Sequence, residues 1–243
     1  MSFLRFLSAV SLAVFLWFTP SFAANAVQQY AVYTECDRGS FDGIGKCYFG
    51  REISQILGKD GSNWLDRPRR GAEEKPEKAI EALKFLPTDT VADIGAGIGY
   101  MSFLIAPNVE KVFAVDIQSE MLDMLKERQL KNGITNVETV KSEETSVNLP
   151  DGAIDWAIMV DAYHEFTYPK EMMQTIFTAL KPGGKVVLLE YKGENPLVAI
   201  KPRHKMTQTQ ARAEVEAMGF KFLESKRVLP QQHVLVFQKP LKA

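Results

Sequence analysis

The stretch Val91-Ala92-Asp93-Ile94-Gly95-Ala96-Gly97-Ile98-Gly99-Tyr100 determines how the rest of the chain is read. Its apolar start predicts a buried β-strand, and its three alternating glycines predict a tight turn that opens a helix. Glycine suits such a turn because a side chain would keep the backbone from closing on a ligand. The dinucleotide fingerprint requires Gly or Ala three residues after its second glycine. Tyr100 occupies that position, which disfavours a nicotinamide or flavin cofactor.

Downstream of this turn, strand patterns alternate with helical patterns over five units. Such alternation predicts a parallel sheet covered on both faces, with ligands at the carboxyl ends of the strands. Two final strands, at about 221–228 and 233–239, are close in sequence and are expected to pair antiparallel. We therefore predict an α/β fold with a doubly wound, Rossmann-like, seven-stranded sheet, mostly parallel with one antiparallel strand near the C-terminus.

An acidic residue, Asp116, ends the second predicted strand, about 20 residues beyond the glycine turn. In that register its carboxylate can accept hydrogen bonds from both hydroxyls of a ribose. The alternative role is to cap the helix that follows. Because the glycines and the acid occur in register, the ribose role is favoured.

Four landmarks together resemble the class I S-adenosylmethionine (SAM) dependent methyltransferases. They are Asp-x-Gly-x-Gly-x-Gly at 93–99, Asp116, the stretch 149–166, and Leu-Lys-Pro-Gly-Gly at 180–184. The resemblance covers about residues 74–239 and implies methyl transfer from SAM to a small-molecule acceptor that the sequence does not identify. It assigns cofactor binding to Asp93, Gly95, Ala96, Gly97, Gly99, Asp116, Ile117, Glu143 and Asp161.

The adenine contact stays open in this resemblance. Glu143 lies where the family usually has an Asp that accepts from the adenine amino group, but Ser142-Glu143 replaces the usual Gly-Asp. Either Glu143 or the neighbouring Glu144 makes the contact, or both are solvated acids of a loop.

The candidate catalytic groups are Tyr163 and His164, which follow the fourth predicted strand. Methyl transfer requires in-line alignment, exclusion of water and, for a protonated nucleophile, removal of a proton. The ordinary pKa of histidine, near 6.5, makes His164 the candidate base, although it could instead orient a loop. Tyr163 could border the sulfonium with its aromatic face, or it could belong to the core.

Two other classes of function remain as alternatives to a methyltransferase. A protein with the same fold could bind a nucleoside-containing ligand without turnover, since fold does not establish activity. A nicotinamide-dependent oxidoreductase is the less favoured alternative. The net charge of −1 offers no field to hold a nucleic-acid backbone, so no nucleic-acid partner is expected.

Residues 1–24 have the pattern of a secretory signal peptide. Arg5 is the only charged residue before an apolar run at 6–18, and residues 21–26 offer small-residue cleavage sites. We predict export, to the periplasm, with no membrane span after cleavage. The alternative is a membrane anchor through an uncleaved leader, although a span needs about 20 apolar residues.

The remaining chain is divided into an N-terminal arm or lid, 25–72, and the SAM-binding methyltransferase domain, 73–243. A short helix is predicted at 50–57 within the arm. The alternative to a lid is a solvated extension whose arginines pair with Glu73 and Glu74 and have no specific role.

The two cysteines, Cys36 and Cys47, could close a disulfide in an oxidising compartment, but sequence does not show that their side chains meet. A zinc site needs more ligands nearby, and the chain has only three histidines. We therefore predict no metal site.

A basic cluster at Lys201, Arg203, His204 and Lys205 lies in the long connection after the fifth strand. It would suit an anionic acceptor, although a solvated basic loop is the more ordinary explanation.

Overall fold

An antiparallel sheet of three short strands begins the part of the chain that the computed structural model describes, residues 32–37, 39–58 and 61–241. The predicted leader, 1–24, lies outside this part. The strands are β1 (Tyr33–Glu35), β2 (Gly43–Tyr48) and β3 (Arg51–Ser54). A two-residue turn joins β2 to β3, and its residues Phe49 and Gly50 both have positive φ, as the favoured hairpin turn requires.

The helix predicted at 50–57 is wrong, because Arg51–Ser54 form a strand that pairs with β2. This segment is too short for the spacing of its apolar residues to distinguish a strand from a helix. Cys36 and Cys47 form a disulfide, with their Cα atoms 5.3 Å apart, and this bond ties β2 to the end of β1. The sequence left that pairing open.

Three short helices connect this sheet to the central one: α1 (Ser62–Leu65), α2 (Arg70–Glu74) and α3 (Pro76–Leu83). Lys75 separates α2 from α3 in a left-handed conformation, and Pro76 starts α3, where a missing N–H is tolerated. Glu74 accepts ion pairs from both Arg67 and Arg70, which fixes α2 against the preceding loop.

Seven strands build the central sheet, in agreement with the predicted fold class. They are β4 (Thr90–Ile94), β5 (Lys111–Asp116), β6 (Val137–Lys141), β7 (Ile154–Val160), β8 (Leu180–Tyr191), β9 (Lys221–Ser225) and β10 (Gln232–Gln238). Their spatial order is β6-β5-β4-β7-β8-β10-β9. All pairs from β6 to β8 are parallel, and β10 runs antiparallel to both of its neighbours.

Helices cover both faces of this sheet. The remaining helices are α4 (Tyr100–Ile105), α5 (Ser119–Lys131), α6 (Pro169–Ala179) and α7 (Gln208–Glu216). One core cluster contains residues of α3, α4 and α5, and the other contains residues of α6 and α7. The strand order reverses between β4 and β7, so a crevice opens at the carboxyl ends of these two strands.

Within residues 32–37, 39–58 and 61–241, every helix is too short or too polar to cross a lipid bilayer.

Candidate functional site

A cavity of about 370 Å³ lies at the carboxyl ends of β4, β5 and β7, where the strand order reverses. Its size is in the range typical of small-molecule sites, about 300–1,000 Å³. Six of the nine predicted cofactor-binding residues line it: Gly95, Gly97, Asp116, Ile117, Glu143 and Asp161. The predicted position of the ligand site therefore coincides with the cavity.

The glycine turn contributes Gly95 and Gly97 to the cavity wall, but not Gly99. A Cβ on Gly95 would lie 2.5 Å from the Cβ of Ala162, and a Cβ on Gly97 would lie 3.0 Å from Cδ1 of Leu65. Gly99 starts α4 with a φ of 84° and packs against the core. Ala96 is buried beside the turn and is not part of the cavity wall.

Asp93 also lies away from the cavity, in contrast to its predicted cofactor role. Its carboxylate is buried and accepts a hydrogen bond from Ser102 Oγ at 2.6 Å, which ties the end of β4 to α4. Burial raises the pKa of Asp93 to about 6, despite the hydrogen bond from Ser102. Asp93 therefore stabilises the junction of β4 and α4 on either side of the glycine turn and does not line the cavity.

Replacing Asp93 by Asn is expected to stabilise the protein at high pH. In the unfolded chain the carboxyl group ionises near pH 4, whereas the buried group ionises near pH 6. The folded state therefore loses stability from this group as pH rises from 4 to 6. We expect Asp93→Asn to raise the free energy of unfolding by about 1–3 kcal/mol at pH 8 and to change it little at pH 4.

Denaturant unfolding of the wild type and the Asp93→Asn variant at both pH values measures this difference. A variant that is less stable than the wild type at pH 8 would contradict the buried-charge account.

Asp116 is buried at the cavity wall and is held by the glycine turn itself. Its Oδ2 accepts from the Gly97 amide and its Oδ1 from the Gln118 amide, each at 2.8 Å. Burial raises the pKa of Asp116, against the opposing effect of these amides. Each carboxylate oxygen keeps a second lone pair for a ligand hydroxyl.

Asp161 follows β7 in a left-handed conformation, with a φ of 49°. Its Oδ2 accepts from Gln232 Nε2 at 2.6 Å, while its buried Oδ1 has no hydrogen-bond partner among the described residues. Burial, and then the nearby Glu190 carboxylate, raise the pKa of Asp161 well above its ordinary value. An unpartnered buried acceptor in a cavity wall suggests a donor supplied by a ligand.

The rim beside β6 contains both acids that the sequence could not separate. Glu143 and Glu144 are exposed and line the cavity together with buried Ser142. The choice between the two glutamates for an adenine contact therefore stays open.

Tyr163 and His164 point to different places although they are adjacent in one 3₁₀ turn. The Tyr163 ring is fully buried in the core beside Phe166 and is not part of the cavity wall. His164 lines the cavity, although only 1% of its surface is exposed. Of the two catalytic candidates, the structure therefore brings only His164 to the site, and the core alternative describes Tyr163.

His164 is held by Glu190, a residue that the sequence analysis missed. Nδ1 of His164 lies 2.5 Å from Oε2 of Glu190, and Oε1 of Glu190 accepts from the Tyr163 amide at 3.0 Å. Burial lowers the pKa of His164, but Glu190 and Glu165 outweigh it and the net pKa is raised. The signal was an acid within the apolar run of β8, since a buried acid needs a partner.

The basic cluster is only partly directed to the cavity. Arg203 pairs with Glu52 at 2.9 Å, and Lys205 Nζ donates to the Val198 carbonyl at 3.2 Å. Lys201 and His204 line the cavity. Two of the four basic side chains are therefore already used in structural contacts.

His204 also brings together a group that was not expected from the sequence. Its Nδ1 lies 3.2 Å from His164 Nε2 and 3.5 Å from Glu165 Oε1. The prediction of no metal site rested on the small number of histidines, only three in the chain. Two of these three, His164 and His204, nevertheless meet across 40 residues of chain.

A family model described as "Methyltransferase domain" matches residues 92–188, from β4 into β8. Protein-L-isoaspartate O-methyltransferase 1 of Polaromonas sp. is 32% identical over 108 residues, covering 44% of this chain and 43% of that protein. A ubiquinone/menaquinone biosynthesis C-methyltransferase of Ectopseudomonas mendocina is 30% identical over 126 residues, covering 49% of each. The chain thus spans about half the length of these relatives.

A crystal structure of a SAM-dependent methyltransferase from Aquifex aeolicus superimposes with a TM-score of 0.69 and 26% identity, covering 75% of this chain and 99% of that one. These comparisons support the class I SAM-dependent methyltransferase family. They also support SAM as the cofactor. The [4+2]-cyclase SpnF shares the fold at a TM-score of 0.59 and 15% identity, covering 69% of this chain and 80% of SpnF. Within this methyltransferase fold, chemistry therefore has to be argued from the site.

The cavity is completed by residues that precede the matched region. Ile56, Leu57, Trp64 and Leu65 line the wall that faces the glycine turn. The Leu57 carbonyl accepts from Gln118 Nε2 at 3.0 Å, and the Leu57 amide donates to Glu165 Oε2 at 3.2 Å. The N-terminal segment therefore contributes to the wall of the ligand cavity, and its role as an arm or lid stays a prediction.

Proposed function

We propose that this chain is an exported SAM-dependent methyltransferase that acts on a small-molecule acceptor. The observation that carries the proposal is the hydrogen bond from the Gly97 amide to the Asp116 carboxylate in the cavity wall. It joins the glycine turn to the acid expected to bind a ribose, at the point where this fold binds ligands. The predicted leader and the Cys36–Cys47 disulfide support export, because disulfides persist in oxidising compartments.

The residues of the cavity fit the parts of SAM. The free lone pairs of Asp116 are available to the ribose hydroxyls, and Ile117 offers an apolar contact beside them. Glu143 or Glu144 lies at the rim for the adenine amino group. The unpartnered Oδ1 of Asp161 is available to the ammonium group of the methionine part.

The acceptor side of the reaction is assigned to His164. In its neutral form, His164 donates Nδ1–H to Glu190 and leaves the electron pair of Nε2 directed away from Glu190. An electron pair at the cavity serves an acceptor whose proton must leave during methyl transfer. Leu57, Trp64 and Leu65 add apolar side chains to the cavity wall, which help to exclude water from the transfer.

The proposal is tested with SAM that carries a labelled methyl group and a panel of small phenols and small anions. We expect release of S-adenosylhomocysteine that depends on the protein and on one class of acceptor. Binding of S-adenosylhomocysteine without turnover of any acceptor would favour the non-catalytic alternative. Hydride exchange with a nicotinamide cofactor would favour the oxidoreductase.

Gly95→Ala is expected to weaken S-adenosylhomocysteine binding about 10-fold or more, with Gly133→Ala as the matched control. Both glycines have a positive φ, so both substitutions incur a similar backbone cost of about 1–2 kcal/mol. A Cβ at Gly95 would collide with Ala162, whereas a Cβ at Gly133 meets no atom within 4 Å. Only Gly95→Ala should therefore displace the cavity wall.

Calorimetric titration of the two variants measures their affinities directly. Equal affinities for the cofactor product would show that the turn at Gly95 does not shape the binding site.

A further inference from the structure

Three side chains that the methyltransferase fold does not require meet at one wall of the cavity. Nε2 of His164, Nδ1 of His204 and Oε1 of Glu165 are separated by 3.2 Å, 3.5 Å and 3.8 Å. His164 and Glu165 belong to the 3₁₀ turn after β7, and His204 to the 3₁₀ turn Pro202–His204 before α7. All three residues line the cavity, so an ion held between them would be accessible to a ligand.

The separations match the geometry of a tetrahedral metal ion. Zinc lies about 2.1 Å from nitrogen and oxygen ligands, which places tetrahedral ligand atoms about 3.4 Å from one another. The three observed separations lie close to this value. In an octahedral iron site with two histidines and one carboxylate, adjacent ligand atoms would lie closer, at about 3.0 Å. The observed spacing therefore favours the tetrahedral arrangement, with three protein ligands and one open position.

The environment of His164 is that of a metal ligand. A histidine that binds a metal usually donates its other ring N–H to a carboxylate, which fixes the tautomer and the ring orientation. Glu190 supplies that carboxylate at 2.5 Å from Nδ1 and is itself completely buried.

We infer that His164, Glu165 and His204 bind a divalent ion of the zinc type, whose open position receives the methyl acceptor. This inference rests on the proposed function and names the acceptor class: a molecule with an ionisable oxygen. A bound divalent ion stabilises such an oxygen as its anion, because it lowers the pKa of the groups it coordinates. With the ion bound, the Nε2 electron pair of His164 coordinates the ion, so the ion and not His164 activates the acceptor. The acceptor oxygen loses its proton to water and takes the methyl group as the S–C bond of SAM breaks, which releases S-adenosylhomocysteine.

The test uses the exported protein without a histidine tag, freed of metal by a chelator and titrated separately with Zn²⁺ and Co²⁺. We expect one ion per chain, with the intense visible bands that tetrahedral Co²⁺ gives. His204→Ala and Glu165→Gln should each weaken binding roughly 100-fold, and Glu190→Gln roughly 10-fold. His233→Ala is the control, because His233 pairs with Glu194 instead.

Two results would overturn the inference. One is the absence of stoichiometric Zn²⁺ or Co²⁺ binding, and the other is binding that survives both His204→Ala and Glu165→Gln. In either case the cluster is a hydrogen-bonded chain from Glu190 through His164 to His204. Thermal unfolding of each variant checks that the variant is folded.

Titration of the metal-free protein with S-adenosylhomocysteine separates this inference from the proposed function. Cofactor binding without metal binding would refute the ion site alone, whereas metal binding without cofactor binding would refute the proposed function.

Discussion

Asp116→Ala is expected to reduce the affinity for S-adenosylhomocysteine about 100-fold or more. The substitution removes a carboxylate that is placed to accept from both ribose hydroxyls, and a hydrogen bond to a charged group contributes about 1.5–3 kcal/mol. It also leaves the Gly97 amide, which donates to Asp116 Oδ2, without its acceptor. The loss should therefore affect both the ribose contact and the shape of the glycine turn.

Two further variants make this result interpretable. Asp123→Ala removes a largely exposed acid from α5 and should bind as the wild type does. Asp116→Asn keeps an oxygen acceptor for a backbone amide and reports whether the turn alone accounts for the effect. If Asp116→Ala bound the cofactor product as tightly as the wild type, the ribose role would have to be abandoned.

His164→Ala is expected to lower the rate of methyl transfer about 100-fold or more while leaving cofactor affinity within a few-fold of the wild type. His164 lines the cavity and is assigned to the acceptor, whereas the cofactor contacts are assigned to Asp116 and the glycine turn. Activity and affinity should therefore separate in this variant.

Tyr163→Phe is the matched control for His164→Ala. It changes the adjacent residue, whose ring lies in the core, and it removes only the hydroxyl group. We expect its rate of methyl transfer to equal that of the wild type. A large loss of activity in Tyr163→Phe with an active His164→Ala would reverse the assignment of the two residues.

The fold could be predicted from the sequence because β4, β5, β7 and β8 each contain a distinct apolar run between turn signals. Asp116 was predictable for a related reason, since its position at a strand end places it beside the glycine turn. The strand Arg51–Ser54 was not predictable, because four residues do not reveal a period. It forms where a two-residue turn brings it beside β2.

The acceptor side of the site depends on contacts that sequence spacing does not report. Tyr163 and His164 are neighbours in the chain, and only the path of the 3₁₀ turn decides which one faces the cavity. His204 reaches His164 because the connection between β8 and α7 returns across the cavity. Glu190 was within reach of sequence reasoning, since a buried acid in an apolar strand requires a partner.

The most direct test of the central claim is calorimetric titration of the chain from residue 25 with S-adenosylhomocysteine and, separately, with NAD. The account predicts binding of S-adenosylhomocysteine with a micromolar dissociation constant and no binding of NAD. Asp116 and the glycine turn are placed to bind the ribose of an adenosine-containing ligand. NAD is disfavoured because Tyr100 occupies the position where the dinucleotide fingerprint has its third glycine or alanine. Binding of NAD alone, or of neither compound, would contradict the proposal that this cavity is a SAM site.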